Sequence, residues 1–174
     1  RLCEVTDGCD PANLGATSVL GETGAAPVDP VATGTETADT AGTGVELAVA
    51  EQEDFNRAKA VLDSGDFRGA ADLFATYAQS YPGGPLVPEA HYLRGEALST
   101  LGDTSNASRA YLDAFSAAPE GPFAADALLK LGEGLALLGQ VPEACVTLAE
   151  VGTRFPTSMA ATQSMVAMQG LGCQ

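Results

Sequence analysis

Four kinds of residue recur along this chain at a fixed spacing of 37 positions. A glycine, a small residue, a bulky residue and a proline follow one another in that order, three times over. The four columns are Gly65, Gly102 and Gly139; Ala70, Ala107 and Ala144; Phe74, Tyr111 and Leu148; and Pro82, Pro119 and Pro156. A period of this size is typical of a helical repeat, which buries its core between neighbouring units. The chain is therefore expected to hold other proteins on an extended surface.

Seven helices are predicted from about residue 45 onward, where apolar residues recur at steps of three and four. Their ranges are 46–63, 67–80, 87–101, 105–118, 123–138, 142–154 and 157–169. The repeated glycines follow the first helix of each pair, where a residue with positive φ ends a helix at little cost. The repeated prolines stop the second helix. Pro142 suits a first helical turn, and Thr157 or Ser158 suits the N-cap of the seventh helix.

Small residues lie midway along the first helices, at Ala58, Gly95 and Gly132. They allow a neighbouring helix to approach closely, and the repeated bulky residues are predicted to fill the remaining space. The seventh helix is expected to cover the end of the stack. Its methionines, Met159, Met165 and Met168, are interpreted as gap-filling core residues.

Residues 1–44 have a different composition. The stretch from Gly15 to Gly44 consists mostly of Gly, Ala, Thr, Glu and Pro, with very few large apolar side chains. Such a segment buries too little surface to offset its ordering entropy, so we interpret residues 1–44 as a flexible, low-complexity acidic linker. The helical domain then spans 45–174, with repeats at about 51–84, 88–121 and 125–158 and a capping helix at about 157–169.

The charge balance excludes some classes of partner. Eight Lys and Arg residues against 23 Asp and Glu residues give a net charge of −15. A chain this acidic repels phosphate backbones and anionic lipid surfaces, so nucleic-acid binding is not expected. No apolar run approaches the roughly 20 residues that span a bilayer, so we expect no direct membrane insertion.

The repeated columns resemble the tetratricopeptide repeat. The small residues of the first helix, Ala70 with its equivalents, the bulky column and the closing prolines all follow that family's order. The spacing departs from it, at 37 residues rather than about 34. The resemblance implies an all-α, right-handed α-solenoid of three helix hairpins and a C-terminal capping helix.

Three segments narrow the resemblance further: Ser80–Pro85, Ala90–Glu96 and Ala125–Gly132. They resemble the C-terminal domain of the Tol-Pal-associated cell division coordinators, the YbgF/CpoB family. That resemblance implies a periplasmic adaptor, preceded by a signal peptide and a trimerising coiled coil. It would contact a TolA-like energy transducer and a bifunctional peptidoglycan synthase, linking septal wall synthesis to outer-membrane constriction. The full protein would then be a homotrimer.

A second family has similar Tyr-Pro-x-x-Pro turns, the outer-membrane protein assembly lipoproteins. That family usually has more repeats and begins at a lipidated cysteine. In this chain Arg1 and Leu2 precede Cys3. The division coordinator is therefore the preferred hypothesis, and the assembly scaffold is the alternative.

In the repeat family the first helices line an inner, partner-binding face. The positions that point there correspond on this chain to Gln52, Phe55, Lys59, Leu62, Asp63, Glu89, Tyr92, Glu96, Ser99, Thr100, Asp126, Leu129, Glu133, Ala136 and Leu137. An apolar stripe of Phe55, Tyr92 and Leu129 would anchor a partner. Glu96 and Glu133 would favour a basic partner over an acidic one, or would simply be solvated. Lys59 and Leu62 complete the predicted groove.

The four cysteines and the single histidine are the candidates for redox or acid–base chemistry. A Cys145–Cys173 disulfide is predicted, because the start of one antiparallel helix lies beside the end of the next; two unpaired thiols are the alternative. Cys3 and Cys9 would close a short loop, bridge subunits or stay free. His91 is expected to pack rather than react. The spacing of Cys and His predicts no metal site, and no nucleophile–base pair emerges, so we expect neither a cofactor nor an enzyme.

Overall fold

A computed structural model describes residues 40–173 of the chain, with side chains from Ala48 onward. These residues form seven α-helices and no strand. The helices are α1 (Thr40–Asp63), α2 (Phe67–Ser80), α3 (Val87–Thr100), α4 (Thr104–Ala117), α5 (Ala124–Leu137), α6 (Val141–Arg154) and α7 (Met159–Leu171). They pack as three hairpins, α1–α2, α3–α4 and α5–α6, stacked side by side, with α7 against α6 and α5. The predicted all-α architecture of hairpins with a C-terminal helix is confirmed.

The N-terminal boundary differs from the prediction. Helix α1 begins at Thr40, so residues 40–44, which composition assigns to the linker, are helical. Extending a formed helix adds one backbone hydrogen bond for each residue that it fixes, and this allows the helix to include residues of low propensity such as Gly42 and Gly44. The remainder of the predicted linker, with Cys3 and Cys9, lies outside the described residues.

The predicted helix-ending signals are confirmed by the backbone. Gly65, Gly102 and Gly139 have φ values of +85°, +77° and +79°. This left-handed region is costly for other residues, and it explains why glycine recurs at this column. At the other boundary, Ser158 caps α7 by accepting a hydrogen bond from the Ala161 amide at 3.1 Å. Pro142 lies in the first turn of α6, as expected.

The hairpins close around the small residues of their first helices. A Cβ atom added to Gly95 would lie 2.5 Å from Cε1 of Tyr111, and one added to Gly132 would lie 2.7 Å from Cγ of Leu148. Both distances are shorter than any ordinary contact between carbon atoms. Each bulky residue therefore occupies the space that a side chain at the facing glycine would need, which explains why the two columns recur together.

Tyrosine hydroxyls of the second helices also bond to carboxylates of the first helices. Tyr111 Oη donates to Glu96 Oε1 at 2.6 Å, and Tyr77 Oη donates to Glu51 Oε1 at 2.7 Å. Burial and the hydrogen bond to Glu96 raise the pKa of Tyr111, so its hydroxyl stays a donor at any physiological pH. The bond from Tyr111 therefore holds the side chain of Glu96 against the α3–α4 hairpin.

Helix α7 is attached to the third hairpin by a disulfide. Cys145 of α6 and Cys173, just beyond α7, are bonded, with their Cα atoms 5.6 Å apart. The predicted pairing is thus present in the structure. The interpretation of the α7 methionines is wrong for Met159 and Met165, which are largely exposed, while Met168 packs partly against the core. The inward side of α7 is filled by Ala160, Ala161 and Ser164 instead.

Candidate functional site

The first helices of the three hairpins share one side of the stack, which we call the inner face. Lys59 of α1 lies 3.5 Å from Glu89 of α3, measured from Nζ to Oε1. The ring of Tyr92 in α3 lies 5.4 Å from that of Phe123, the residue that precedes α5. Helices α1, α3 and α5 therefore follow one another along this side, as the predicted groove requires.

Two members of the predicted apolar stripe do not reach the surface of this face. Phe55 is 3% exposed and Leu129 is 2% exposed. Phe55 packs edge-on against Phe74 and Tyr77 of α2, at ring-centre distances of 5.9 and 5.5 Å. Both residues lie on the side of their helix that meets the core, so they cannot anchor a partner while the hairpins remain folded. Of the predicted stripe only Tyr92 is partly accessible.

On the inner face, two predicted groove residues of the α1–α2 hairpin make contacts within the fold. Lys59 Nζ lies 5.7 Å above the centre of the Phe55 ring, in addition to its ion pair with Glu89. Leu62 is partly buried and packs against the core. Lys59 and Leu62 therefore support the fold of this region, while Gln52 and Asp63, the other predicted inner-face residues of α1 besides the buried Phe55, are exposed.

Tyr92 lies at the centre of a group of carboxylates that we call the Tyr92 cluster: Tyr92, Glu96, Asp126 and Glu133. The Tyr92 ring packs against Tyr111 at 5.7 Å. Burial first, and then the negative charges of Glu96, Asp126 and Glu133, raise the pKa of Tyr92 to about 12. The hydroxyl therefore keeps its proton at neutral pH, and the surface around it carries negative charge.

The carboxylates of the Tyr92 cluster are not equivalent. Glu96 accepts the hydrogen bond from Tyr111 and is half-buried, so one of its oxygens is committed to the fold. Glu133 pairs with Lys130 at 3.1 Å, and the two side chains are 40% and 39% exposed, respectively. Asp126 is exposed in the first turn of α5. Asp126 and Glu133 are consequently the carboxylates that a partner can reach without disturbing the hairpins. Sequence spacing alone does not reveal this difference.

An apolar groove continues the inner face beyond the Tyr92 cluster. It lies between α5 and α7, has a volume of about 470 Å³, and shares Glu133 with the cluster. Its other lining residues are Ala136, Leu137, Ala167, Gly170 and Leu171. The sequence placed Ala136 and Leu137 on the inner face but missed the α7 residues. Extending the 37-residue period from Glu133 leads to Gly170, but no inner-face position of α5 leads to Ala167 or Leu171. We call this feature the α5–α7 groove.

The remaining candidates for chemistry lie apart from this surface. His91 is half-buried in α3, and its Nδ1 atom has no hydrogen-bond partner among the described residues. Burial lowers the pKa of His91, which favours the neutral ring at physiological pH. Within residues 40–173, no three His, Cys, Asp or Glu side chains are grouped to hold a metal ion. None of the helices that the structure describes is long and apolar enough to cross a membrane.

Comparison with protein families finds similarity to one repeat family in two parts of the chain. The tetratricopeptide repeat matches residues 55–107, and a second tetratricopeptide-repeat match covers residues 126–158. The first range contains parts of hairpins 1 and 2, and the second contains hairpin 3. A comparison with the sequences of curated proteins finds no match.

Solved structures share the architecture at low sequence identity. The tetratricopeptide domain of Arabidopsis OM64 is 13% identical, with a TM-score of 0.58 over 70% of this chain and 95% of that one. The first such domain of Spaghetti (RPAP3), bound to the HSP90 peptide SRMEEVD, is 15% identical, with a TM-score of 0.59 over 71% and 94%. MamA is 21% identical, with a TM-score of 0.56 over 71% and 69%. These likenesses show the fold, a right-handed α-solenoid.

Proposed function

We propose that this chain, which matches the tetratricopeptide repeat over residues 55–107 and 126–158, works as an adaptor that binds a basic segment of another protein on its inner face. Repeats of this kind are typically non-catalytic and act by holding other polypeptides. The proposed mechanism is binding without chemistry. The stacked hairpins form a preorganised surface, and this keeps the conformational cost of capture low.

This proposal rests on one observation: Glu133 belongs to the Tyr92 cluster and also lines the α5–α7 groove, so the two features form one continuous surface. A segment with apolar side chains can occupy the groove, where Leu137 is largely exposed. Lys or Arg residues of the same segment can then pair with Asp126 and Glu133 beside the Tyr92 ring. Apolar anchors with flanking charges are the features that give peptide-binding grooves both affinity and selectivity.

The same charges argue against an acidic ligand. The Spaghetti domain is described with the peptide SRMEEVD, whose sequence contains three carboxylate side chains. On this chain the exposed carboxylates of the Tyr92 cluster would repel such a peptide, and Lys59 is already paired with Glu89. Selectivity against acidic segments is therefore part of the proposed function.

For the cellular role, we propose a periplasmic adaptor that coordinates septal peptidoglycan synthesis with Tol-Pal-driven outer-membrane constriction during cell division. Support comes from the resemblance of Ser80–Pro85, Ala90–Glu96 and Ala125–Gly132 to the division coordinators. The Cys145–Cys173 disulfide suits an oxidising compartment such as the periplasm. The proposed partners are a TolA-like energy transducer and a bifunctional peptidoglycan synthase, with trimerisation through a coiled coil preceding this chain.

The second candidate role is a scaffold for outer-membrane protein assembly, favoured by the Tyr-Pro-x-x-Pro turn at Tyr81–Pro85. The two roles predict different N-terminal sequences in the full-length protein. A heptad pattern would favour the division coordinator, and a lipidation signal would favour the assembly lipoprotein.

The test measures, by titration calorimetry, the affinity of the chain for a purified TolA-like periplasmic domain. Replacing Asp126 and Glu133 with lysine should weaken binding by about tenfold or more, because two charge pairs become repulsive. The matched control replaces Asp72 and Glu120, exposed carboxylates outside the inner face, with lysine and should bind as the unmodified chain does. Equal affinity for both double variants would contradict the inner-face site. A crosslinking pull-down from envelope extracts, with the same pair of variants, would distinguish a wrong site from a wrong partner.

A further inference from the structure

The outward side of α7 is apolar and open to solvent. Met159 is 77% exposed, Val166 is 66% exposed and Met165 is 56% exposed. Three further side chains of α7, Thr162, Gln163 and Gln169, are exposed, polar and uncharged. We call the six residues the cap face. Exposed methionine and valine side chains grouped on one helix indicate an interaction surface, since isolated apolar residues are the usual pattern on a monomer.

The cap face is also distinguished by its charge. The described residues from Phe155 to Cys173 contain no Asp, Glu, Lys or Arg, on a chain whose net charge is −15. Two copies approaching through other surfaces bring carboxylates together, which costs free energy through like-charge repulsion. Two copies approaching through their cap faces bring together the one long helical surface among the described residues that carries no charge. The charge distribution thus favours a second copy of this chain over a strongly basic or acidic partner.

The position of α7 in the stack supports a helix as the occupant. Helix α7 follows hairpin 3 where the first helix of another hairpin would lie, and within the described residues nothing packs on its outward side. Ala58, Gly95 and Gly132 recur at 37-residue spacing, and the next position in that column is Gln169. Because a glutamine blocks the close approach that Gly95 allows to Tyr111, a second helix of the repeat type would not fit here. A helix at ordinary packing distance, such as α7 of another copy, would fit.

We propose that the chain self-associates through the cap face, with the α7 helices of two copies packed antiparallel about a twofold axis. The same patch then serves both subunits, as an isologous interface requires. One helix of 13 residues offers less than the roughly 800 Å² per partner of a standard interface, so we expect a micromolar dimer rather than an obligate one. This association leaves the Tyr92 cluster free and is independent of the proposed inner-face binding.

Sedimentation velocity over a wide range of chain concentrations tests the proposal. We expect the average mass to rise toward twice the monomer mass, and added salt to strengthen association because it screens repulsion between two acidic chains. Val166→Glu should weaken dimerisation at least tenfold. Val146→Glu is the matched control, since Val146 on α6 is 70% exposed and the added charge is the same. Met165→Gln should weaken the dimer without any change in charge.

Circular dichroism of each variant verifies that the helices remain folded, which the exposure of the replaced side chains leads us to expect. A chain that stays monomeric at millimolar concentration would overturn the proposal. An equal loss of dimer in Val146→Glu and Val166→Glu would also overturn it, because the association would then depend on total charge rather than on the cap face. Binding of the TolA-like domain should persist in Val166→Glu, so failure of either proposal can be recognised separately.

Discussion

Helices α3 and α7 occupy equivalent positions in the stack, yet their exposed and buried sides are built differently. Helix α3 has neighbours on both sides, and Gly95 is required because Tyr111 of α4 lies directly over it. Among the described residues, helix α7 has neighbours on one side, α5 and α6, and Gln169 stands in the same column. This difference between Gly95 and Gln169 shows that the residue type in a repeated column depends on the contacts between helices at that position. A column member is small where a partner helix packs over it, as at Gly95, and a large residue is accommodated at Gln169, over which no described helix packs.

The largest expected effect concerns the disulfide, which compensates for the single-sided packing of α7. Replacing Cys145 and Cys173 with serine should lower the free energy of unfolding by roughly 3–4 kcal/mol, from the entropy of a loop of 28 residues in the chain-entropy model. Chemical denaturation of the two forms measures this loss. Limited proteolysis should then cut near α7 first. Unchanged stability would mean that packing alone holds α7 in place.

The second effect compares glycines on the two helices directly. Gly95→Leu should destabilise the chain by roughly 1–3 kcal/mol, because the new side chain collides with the Tyr111 ring. Gly170→Leu on α7 is the control, since a Cβ there has no atom within 4 Å. It should be neutral or stabilising by up to about 1 kcal/mol from helix propensity. Thermal melts that show equal losses would refute the packing explanation of the column.

A smaller effect is expected from the bond between α4 and α3. Tyr111→Phe removes the hydroxyl that donates to Glu96 at 2.6 Å and leaves that carboxylate without its partner. We expect a loss of about 1–2 kcal/mol, reduced from the value for a fully buried charged bond because Glu96 is only half-buried. Urea denaturation measures the loss, and Glu96→Gln combined with Tyr111→Phe completes a double-mutant cycle. A coupling energy near zero would show that the bond contributes nothing.

The smallest effect is the pH dependence due to His91. Because burial lowers the pKa of His91 in the fold, the unfolded chain takes up the proton first as the pH falls. His91 therefore contributes stability that is present above its unfolded pKa of about 6.5 and is lost as the pH falls toward the folded value. Melting temperatures between about pH 8 and pH 5 should decline less in His91→Gln than in the unmodified chain. Asp113 and Arg94, the charged groups that act on His91, are present in both proteins, so their own effect on the pH dependence of stability is common to both curves. Parallel pH curves would contradict the assignment.

Most of the fold can be predicted from residue type and spacing in the sequence. Gly65, Gly102 and Gly139 mark positive φ, and the small and bulky columns mark the contacts within hairpins. These features are set by backbone sterics and by helix–helix contact, so spacing alone predicts them. The start of α1 at Thr40 was less predictable, because helix extension there depends on cooperativity rather than on side-chain pattern.

The candidate site was less accessible to sequence reasoning. Family positions placed Phe55, Tyr92 and Leu129 on one stripe, but a small rotation about each helix axis decides which side chain reaches solvent, and only Tyr92 does in part. Spacing could not show that Glu96 bonds to Tyr111, since that contact depends on the rotamers of two side chains. Likewise, the exposure of Met159 and Met165 depends on whether another helix covers α7.

Hydrogen exchange of the chain with and without the TolA-like domain tests the inner-face hypothesis most directly, at concentrations too low for self-association. Protection on binding should concentrate in α3, α5 and the C-terminal half of α7, around Tyr92, Glu133 and the α5–α7 groove. The second helices α2 and α4 should exchange as they do in the free chain. Protection confined to α2 and α4, with α3 and α5 unchanged, would contradict the central claim that the first helices of the hairpins hold the partner.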